Sequence, residues 1–216
     1  MSRYMILVEE RESALAPGET DALLERRGAY AERLGPAFVD GERFRPAIEG
    51  RRVGRGGVVE DRVANLGAYY VVEAPSLDSA VALARDCPGG ETEVRPLLKG
   101  RVEPGKMNAP GRTFAFAVLG SAPNEESWVA LMDRIDDSTH DRFPNERFAG
   151  GVRLEPAGRR VGGRRAHFDG PFLESKEVIG GLFFLRLASI DSAVEWALRS
   201  SFVEHGALEI RELWRT

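Results

Sequence analysis

The chain has 216 residues, of which 43% are hydrophobic and 30% are charged, and its formal net charge is −4. This length suits one large domain or two domains of about 100 residues, each with its own core. The slight negative charge argues against a nucleic-acid-binding protein, and no apolar run approaches the roughly 20 residues that cross a bilayer.

The first residues and the cysteine content indicate the compartment. Residues 1–9 contain a short apolar run followed by a carboxylate, which is too short for a signal peptide and is typical of a first strand. Cys87 is the only cysteine, so an intramolecular disulfide and a cysteine metal cluster are excluded. These features predict a cytoplasmic protein that neither spans a membrane nor binds nucleic acid.

An internal repeat organises the chain. Residues 76–84 and 189–197 are identical at six of nine positions, with an offset of 113. Further blocks match in the same order, namely 50–54 with 158–162, 66–70 with 179–183, and 93–95 with 209–211. Four matching blocks in one order indicate a tandem duplication, and two copies are too few for a solenoid. We therefore predict two small domains, copy one at residues 1–98 and copy two at residues 112–216.

The segment between the copies, residues 99–111, holds two prolines and three glycines and is predicted to be a linker. The elements predicted for copy one are a strand at 4–8, a helix at 20–34, an irregular strand or hairpin within 37–59, a strand at 66–73, a helix that Ser76 caps, and a strand at 92–97. Those predicted for copy two are a strand at 112–119, a helix from 123, a hairpin at 152–168, a strand at 179–187, a helix that Ser189 caps, and a strand at 207–213.

Each copy therefore has the strand and helix order of a ferredoxin-like α+β domain, with an antiparallel sheet and both helices on one face. The strand at 179–187 is apolar on both faces, so the face without helices must also be covered. We predict that the two tandem domains pack sheet against sheet as an intramolecular pseudo-dimer. A cleft or barrel interior would lie between the sheets.

A charged loop at residues 169–177 precedes this apolar strand. His167 and Asp169 are two residues apart, so an extended backbone points both side chains to one side. A carboxylate beside an imidazole suits general acid–base chemistry near neutral pH, although an Asp before Gly-Pro also stabilises a turn. Glu174 and Lys176 form either an exposed ion pair or a contact to an anionic substrate.

The other histidines give weaker signals. His140 and Asp141 form a second adjacent pair, but neighbouring side chains on a helix do not face each other. His205 lies at a helix-to-strand turn, where it could cap helix carbonyls. The spacing of the three histidines does not match a metal site, and the Gly-rich run at 54–57 does not match a dinucleotide loop. We expect neither a metal nor a cofactor.

The run from Asp169 to Phe172, with Glu174, Lys176 and the strand that follows, resembles the DGPF branch of the YCII-related family. The ending from His205 resembles that family too. The resemblance implies the dimeric α+β barrel fold, which two separate chains usually form. It implies no single activity: some relatives are cofactor-independent lyases or dehydrochlorinases, YCII-type relatives are proposed to use a His–Asp pair, and linkage to alternative sigma factors suggests regulation.

Copy one lacks most of the functional side chains of this loop. In the repeat alignment, the residues opposite Asp169, Phe172 and Lys176 are Gly56, Val59 and Val63. A carboxylate is kept only at Asp61, opposite Glu174. We therefore expect copy two to supply the polar groups and copy one to complete the cavity.

The leading hypothesis is a small-molecule-binding protein, with a cofactor-independent lyase or isomerase activity between the sheets. The catalytic candidates are His167, Asp169, Glu174, His140 and Asp141; the ligand-binding candidates are Lys176, Phe172 and His205. The alternative is a non-catalytic regulatory or ligand-sensing protein that acts through a protein partner such as a sigma factor. The expected assembly is a monomeric pseudo-dimer or a homodimer of it.

Overall fold

The computed structural model describes residues 1–9, 19–60, 66–102, 112–120, 130, 148–155, 157–162, 178–200 and 202–214. The elements of copy one are β1 (Ser2–Glu9), α1 (Glu19–Leu34), β2 (Phe38–Arg43), β3 (Arg51–Val53), β4 (Val59–Glu60), β5 (Leu66–Ala74), α2 (Leu77–Ala84) and β6 (Thr92–Val102). Those of copy two are β7 (Arg112–Gly120), β8 (Phe148–Leu154), β9 (Arg159–Val161), β10 (Val178–Leu187), α3 (Ile190–Leu198), α4 (Phe202–His205) and β11 (Ala207–Glu212). None of the described helices is long and apolar enough to cross a membrane.

The repeated serines start equivalent helices in the two copies. The Oγ of Ser76 accepts a hydrogen bond from the backbone N–H of Ser79 at the start of α2. The Oγ of Ser189 accepts one from the N–H of Ser192 at the start of α3. Each bond satisfies one of the N–H groups that a helix start leaves unpaired, so both predicted caps are confirmed.

The strands close into a barrel that both copies build. Eight neighbours follow the order β2-β5-β1-β6-β8-β10-β7-β11. The two outer members of this series meet, because Phe44 bridges Leu213 and the N–H of Arg45 donates to the carbonyl oxygen of Glu212. The barrel thus has one seam between β6 and β8 and a second between β2 and β11. The predicted α+β fold, with two ferredoxin-like copies packed as a pseudo-dimer, is confirmed.

The first seam corrects two strand boundaries. The sequence predicts that the last strand of copy one ends at residue 97, but β6 continues to Val102 because it pairs with β8. In copy two, β8 begins at Phe148, before the predicted hairpin at 152–168. Within the described residues β8 pairs with β6 and β10, and β9 pairs with β6. The second half of the predicted hairpin, after residue 162, lies outside the described residues.

The copies also exchange short strands. In copy one, β3 pairs with β11 of copy two, and Val53 lies opposite Leu208. In copy two, β9 pairs with β6 of copy one, and Val161 lies opposite Thr92. These two pairings are equivalent in the repeat, so the last strand of each copy pairs with a short strand of the other copy.

The described residues form three apolar clusters. One lies between the helices and the sheet of copy one and includes Tyr30, Val72 and Val94. The second lies between α3, α4 and the sheet of copy two. The third is the barrel interior and contains side chains of both copies, among them Met5, Leu7, Phe44, Tyr69, Val71, Ala115, Ala117, Leu182, Phe184 and Leu213.

Candidate functional site

Two Glu–Arg pairs project into the apolar barrel interior. Successive side chains of a strand point to opposite faces. Val94 packs in the helix-facing cluster of copy one, so its neighbours Glu93 and Arg95 point to the interior. The same alternation around Ile210 directs Glu209 and Arg211 inward. All four charged side chains are buried.

Arg95 connects the two copies. Its side chain is fully buried. Its Nε donates to the carbonyl oxygen of Glu155. Its Nη1 donates to Glu93 Oε1 at 3.0 Å and to the carbonyl oxygen of Ile179 at 3.4 Å. Its Nη2 is buried and has no hydrogen-bond partner among the described residues. One guanidinium nitrogen therefore remains available to an acceptor that enters the barrel.

Glu93 is a buried carboxyl next to this guanidinium. Burial raises the pKa of Glu93, while the Arg95 charge and hydrogen bond, and the charge of Arg160, partly offset the rise. The carboxylate of Glu9 acts in the same direction as burial. A carboxyl with a raised pKa can both give and accept a proton closer to neutral pH, as acid–base catalysis requires.

The counterpart in copy two is arranged differently. Arg211 Nη1 lies 3.7 Å from Glu209 Oε1, a longer separation than in the pair of copy one. Arg211 Nη2 donates to the carbonyl oxygen of Arg45. The Nη2 nitrogen therefore has an acceptor in Arg211, whereas in Arg95 it has none among the described residues. The two ends of the barrel are thus related by the repeat but are not chemically equal.

A third polar pair exists in copy one. The hydroxyl of Tyr69 donates to Asp40 Oδ2 at 2.7 Å, and both residues are buried. Gly41 pairs with Tyr70 in copy one, and Gly151 pairs with Phe183 in copy two. Because these two pairs are equivalent in the repeat, Tyr69 and Asp40 of copy one correspond to Leu182 and Gly150 of copy two. The described part of copy one therefore adds polar groups that copy two lacks at the same positions.

The polar groups of copy one lie on one face of its sheet. Tyr69 lies opposite Leu7 on the neighbouring strand, and Leu7 lies opposite Glu93 on the next. Since adjacent strands are about 4.8 Å apart, the Cα atoms of Tyr69 and Glu93 are about 10 Å apart. Leu7, which belongs to the interior cluster, lies between them on the sheet.

Most sequence-predicted site residues lie outside the described residues. These are His140, Asp141, His167, Asp169, Phe172, Glu174 and Lys176. His205 is the last residue of α4, and its side chain also lies outside the description. Ile179, two positions after the predicted loop at 169–177, is described, and its carbonyl oxygen is a partner of Arg95.

Sequence reasoning missed the buried charges, although their signal was present. Residues 93–95 and 209–211 match in the repeat as Glu-x-Arg. In a strand, a Glu and an Arg two residues apart share a face, and the buried residue between them fixes which face that is. The described residues contain no cluster of three His, Cys, Asp or Glu side chains suited to a metal ion.

Cys87 does not add a nucleophile to this site. Burial raises the pKa of its thiol to about 12, although the nearby Arg27 and a hydrogen bond with Tyr30 lower it. The thiol is therefore neutral at physiological pH, whereas nucleophilic cysteines react as thiolates.

Comparisons with known proteins identify the family. No curated protein sequence matches the chain. A structure provisionally described as a chlorite dismutase is 12% identical, with a TM-score of 0.44 over 100% of this chain and 96% of the other. An anthrone oxidase-like protein is 9% identical, with a TM-score of 0.45 over 99% and 91%. Neither is similar enough to assign an activity. The model of the YCII-related domain matches residues 2–99 and again residues 118–216, so the chain belongs to the YCII-related family as a tandem of two copies.

Proposed function

We propose that this YCII-related protein binds a small organic molecule inside its barrel and moves a proton on it without a cofactor, as a lyase or isomerase does. The Glu93–Arg95 pair carries the proposal. Transferring charges into an apolar interior is costly, and apolar side chains in their place often give equal or higher stability. A function for the charges is therefore a better explanation than stability alone.

The pair supplies both parts of such a reaction. Arg95 Nη2 would donate to a carbonyl oxygen of the substrate and stabilise negative charge that develops there. The Glu93 carboxylate would take the proton from the neighbouring carbon, and the C–H electron pair would form the enolate. Return of that proton to a different carbon completes an isomerisation, and loss of a leaving group completes an elimination.

The loop of copy two belongs to the same proposal. His167, Asp169 and Glu174 would be further acid–base groups, with His140 and Asp141 as a second pair. Lys176, Phe172 and His205 would contact the ligand. The carbonyl of Ile179 beside Arg95 supports this placement, because the predicted loop ends two positions before Ile179 in the chain. We also propose that the protein works in the cytoplasm and that residues 1–98 and 112–216 form the two walls.

Hydrogen exchange with solvent tests the proposal without knowledge of the product. Small carbonyl compounds with acidic C–H groups would be incubated with the protein in D2O and followed by proton NMR. We expect deuterium incorporation into at least one compound, and a loss of about 100-fold in its rate in Glu93→Gln. Glu209→Gln is the matched control and should retain the activity. Absence of exchange, or an equal rate in Glu93→Gln, would contradict the proposal.

A regulatory role is the second candidate, and an exposed apolar surface favours it. Val58 and Val59 are 58% and 44% exposed. Leu198, 41% exposed, lies close to the neighbouring Gly57. Within the described strands, β4 pairs on one side only, with β3. An open strand edge with apolar side chains suits a protein partner, such as the sigma factor that the family resemblance suggests.

This surface is tested by Val58→Asp combined with Val59→Asp. If the protein is a regulator, the double variant loses binding of the purified partner in a titration, and Glu93→Gln binds that partner normally. If it is an enzyme, the double variant keeps wild-type proton exchange.

A further inference from the structure

We infer that the ligand carries a carboxylate and that Arg95 rather than Arg211 binds it. This inference rests on the proposed function, because it requires a small molecule in the barrel. It adds the chemical class of that molecule and specifies which end of the barrel receives it.

The hydrogen bonds of Arg95 define the acceptor. Nε and Nη1 already donate to Glu155, Glu93 and Ile179. Both N–H groups of Nη2 are buried and lack a partner among the described residues. Buried donors are normally satisfied by protein, water or ligand. A carboxylate oxygen is the acceptor that forms the strongest hydrogen bond with a guanidinium group.

Arg211 does not offer the same group. Its Nη2 donates to the carbonyl oxygen of Arg45, whereas Arg95 contacts the equivalent residue, Glu155, through Nε. This different rotation of two equivalent side chains leaves Nη2 available in copy one and engaged in copy two. Of the two Glu–Arg pairs, only that of copy one has an Nη2 without a hydrogen-bond partner among the described residues.

The test uses the intact chain and four simple probes. Acetate and benzoate are the carboxylates, and ethanol and benzyl alcohol are their neutral counterparts. Titration calorimetry gives the affinity of each probe. We expect at least one carboxylate to bind about tenfold more tightly than its alcohol.

Three variants locate the site. Arg95→Met should weaken carboxylate binding by about tenfold or more, whereas its repeat counterpart Arg211→Met should change it by no more than about twofold. If Arg95→Met does not fold, Arg95→Lys keeps the charge and tests the donor geometry. Equal weakening by the Arg95 and Arg211 variants would overturn the inference.

The outcomes also separate this inference from the proposed function. If alcohols bind as tightly as carboxylates, the small-molecule site stands and the carboxylate inference is wrong. If none of the probes binds and no compound exchanges its protons, both are wrong. If none binds but proton exchange depends on Glu93, then Arg95 Nη2 is satisfied by water and the carboxylate inference alone is overturned.

Discussion

Tyr69 of copy one packs its ring against Phe184 of copy two, and the ring centroids are 5.3 Å apart. The contact spans the barrel, so the side chain that donates to Asp40 also holds the two sheets together. Phe44 flanks the same ring at 5.9 Å. Tyr69 therefore combines an apolar packing role with a buried hydrogen bond, and a substitution can separate the two.

Tyr69→Phe keeps the ring and removes the hydroxyl. We expect the free energy of unfolding to fall by about 1–3 kcal/mol, because the buried Asp40 carboxyl loses a donor. Urea unfolding followed by circular dichroism measures the change. Tyr4→Phe is the control and should leave the stability unchanged. Tyr4 is also buried, with 6% of its surface exposed, but its hydroxyl makes no hydrogen bond with the described residues. Equal stability of Tyr69→Phe and wild type would show that the bond contributes nothing net.

Gly158 lies directly against Arg95. A Cβ atom at Gly158 would lie 2.2 Å from Arg95 Cδ and 2.8 Å from the Val94 carbonyl oxygen. Gly158→Ala should therefore lower the free energy of unfolding by about 1–3 kcal/mol, the usual cost of overpacking. It should also displace the guanidinium and weaken carboxylate binding. In the control Gly54→Ala, the added methyl meets its nearest atom at an ordinary 3.6 Å, so a similar loss there would exclude this steric cause.

Glu93 also predicts a pH dependence of stability. Its pKa is raised in the folded protein by burial above the ordinary value of 4.5, so the folded state holds this proton to higher pH than the unfolded state. Its contribution to stability is full below about pH 4.5 and is lost as the pH rises through the folded pKa. The stability of wild type relative to Glu93→Gln should therefore fall as the pH rises above 4.5.

Urea unfolding at a series of pH values measures that difference. Glu25→Gln, on the exposed side of α1, provides the control and should show no such trend relative to wild type. A wild-type stability that rose relative to Glu93→Gln with increasing pH would mean that the Arg95 charge outweighs burial at this site.

Trp214 packs at the seam between β2 and β11. The Arg43 and Arg45 guanidinium carbons lie 4.1 and 4.9 Å from its ring centroid. Trp214→Ala should destabilise this seam by about 1–2 kcal/mol, since two cation–π contacts are lost. The Arg45 amide, which donates to the carbonyl oxygen of Glu212, should then exchange with solvent about tenfold faster.

The other seam provides an internal control. The amide of Glu155 donates to the Pro96 carbonyl oxygen at the equivalent position, and its exchange rate should not change in Trp214→Ala. Equal acceleration at both amides would indicate global destabilisation rather than an effect on one seam.

The local features of the fold could be predicted from the sequence. Ser76 and Ser189 precede apolar residues at helical spacing, and both serines cap helices. The strand at 179–187 is apolar on both faces, and the structure covers both, because Phe183 faces the helices and Phe184 faces the barrel interior. These predictions succeed because the patterns depend on residues close together in the chain.

Features that depend on distant pairing were missed. The extension of β6 to Val102 is stabilised by β8, and residues 99–102, with a glycine and polar side chains, do not look like a strand by themselves. The buried positions of Glu93 and Arg95 also follow from the barrel rather than from local propensity. The candidate residues in the loop at 169–177 stay predictions, since that loop lies outside the described residues.

The difference between Tyr69–Asp40 and Leu182–Gly150 has a consequence for how such a barrel can evolve. In a barrel built from two identical chains, every substitution appears at both ends, so a residue that improves catalysis at one end must also be tolerated at the other. A single chain with two copies removes this restriction. One copy can acquire polar groups at positions where the other keeps an apolar side chain or a glycine.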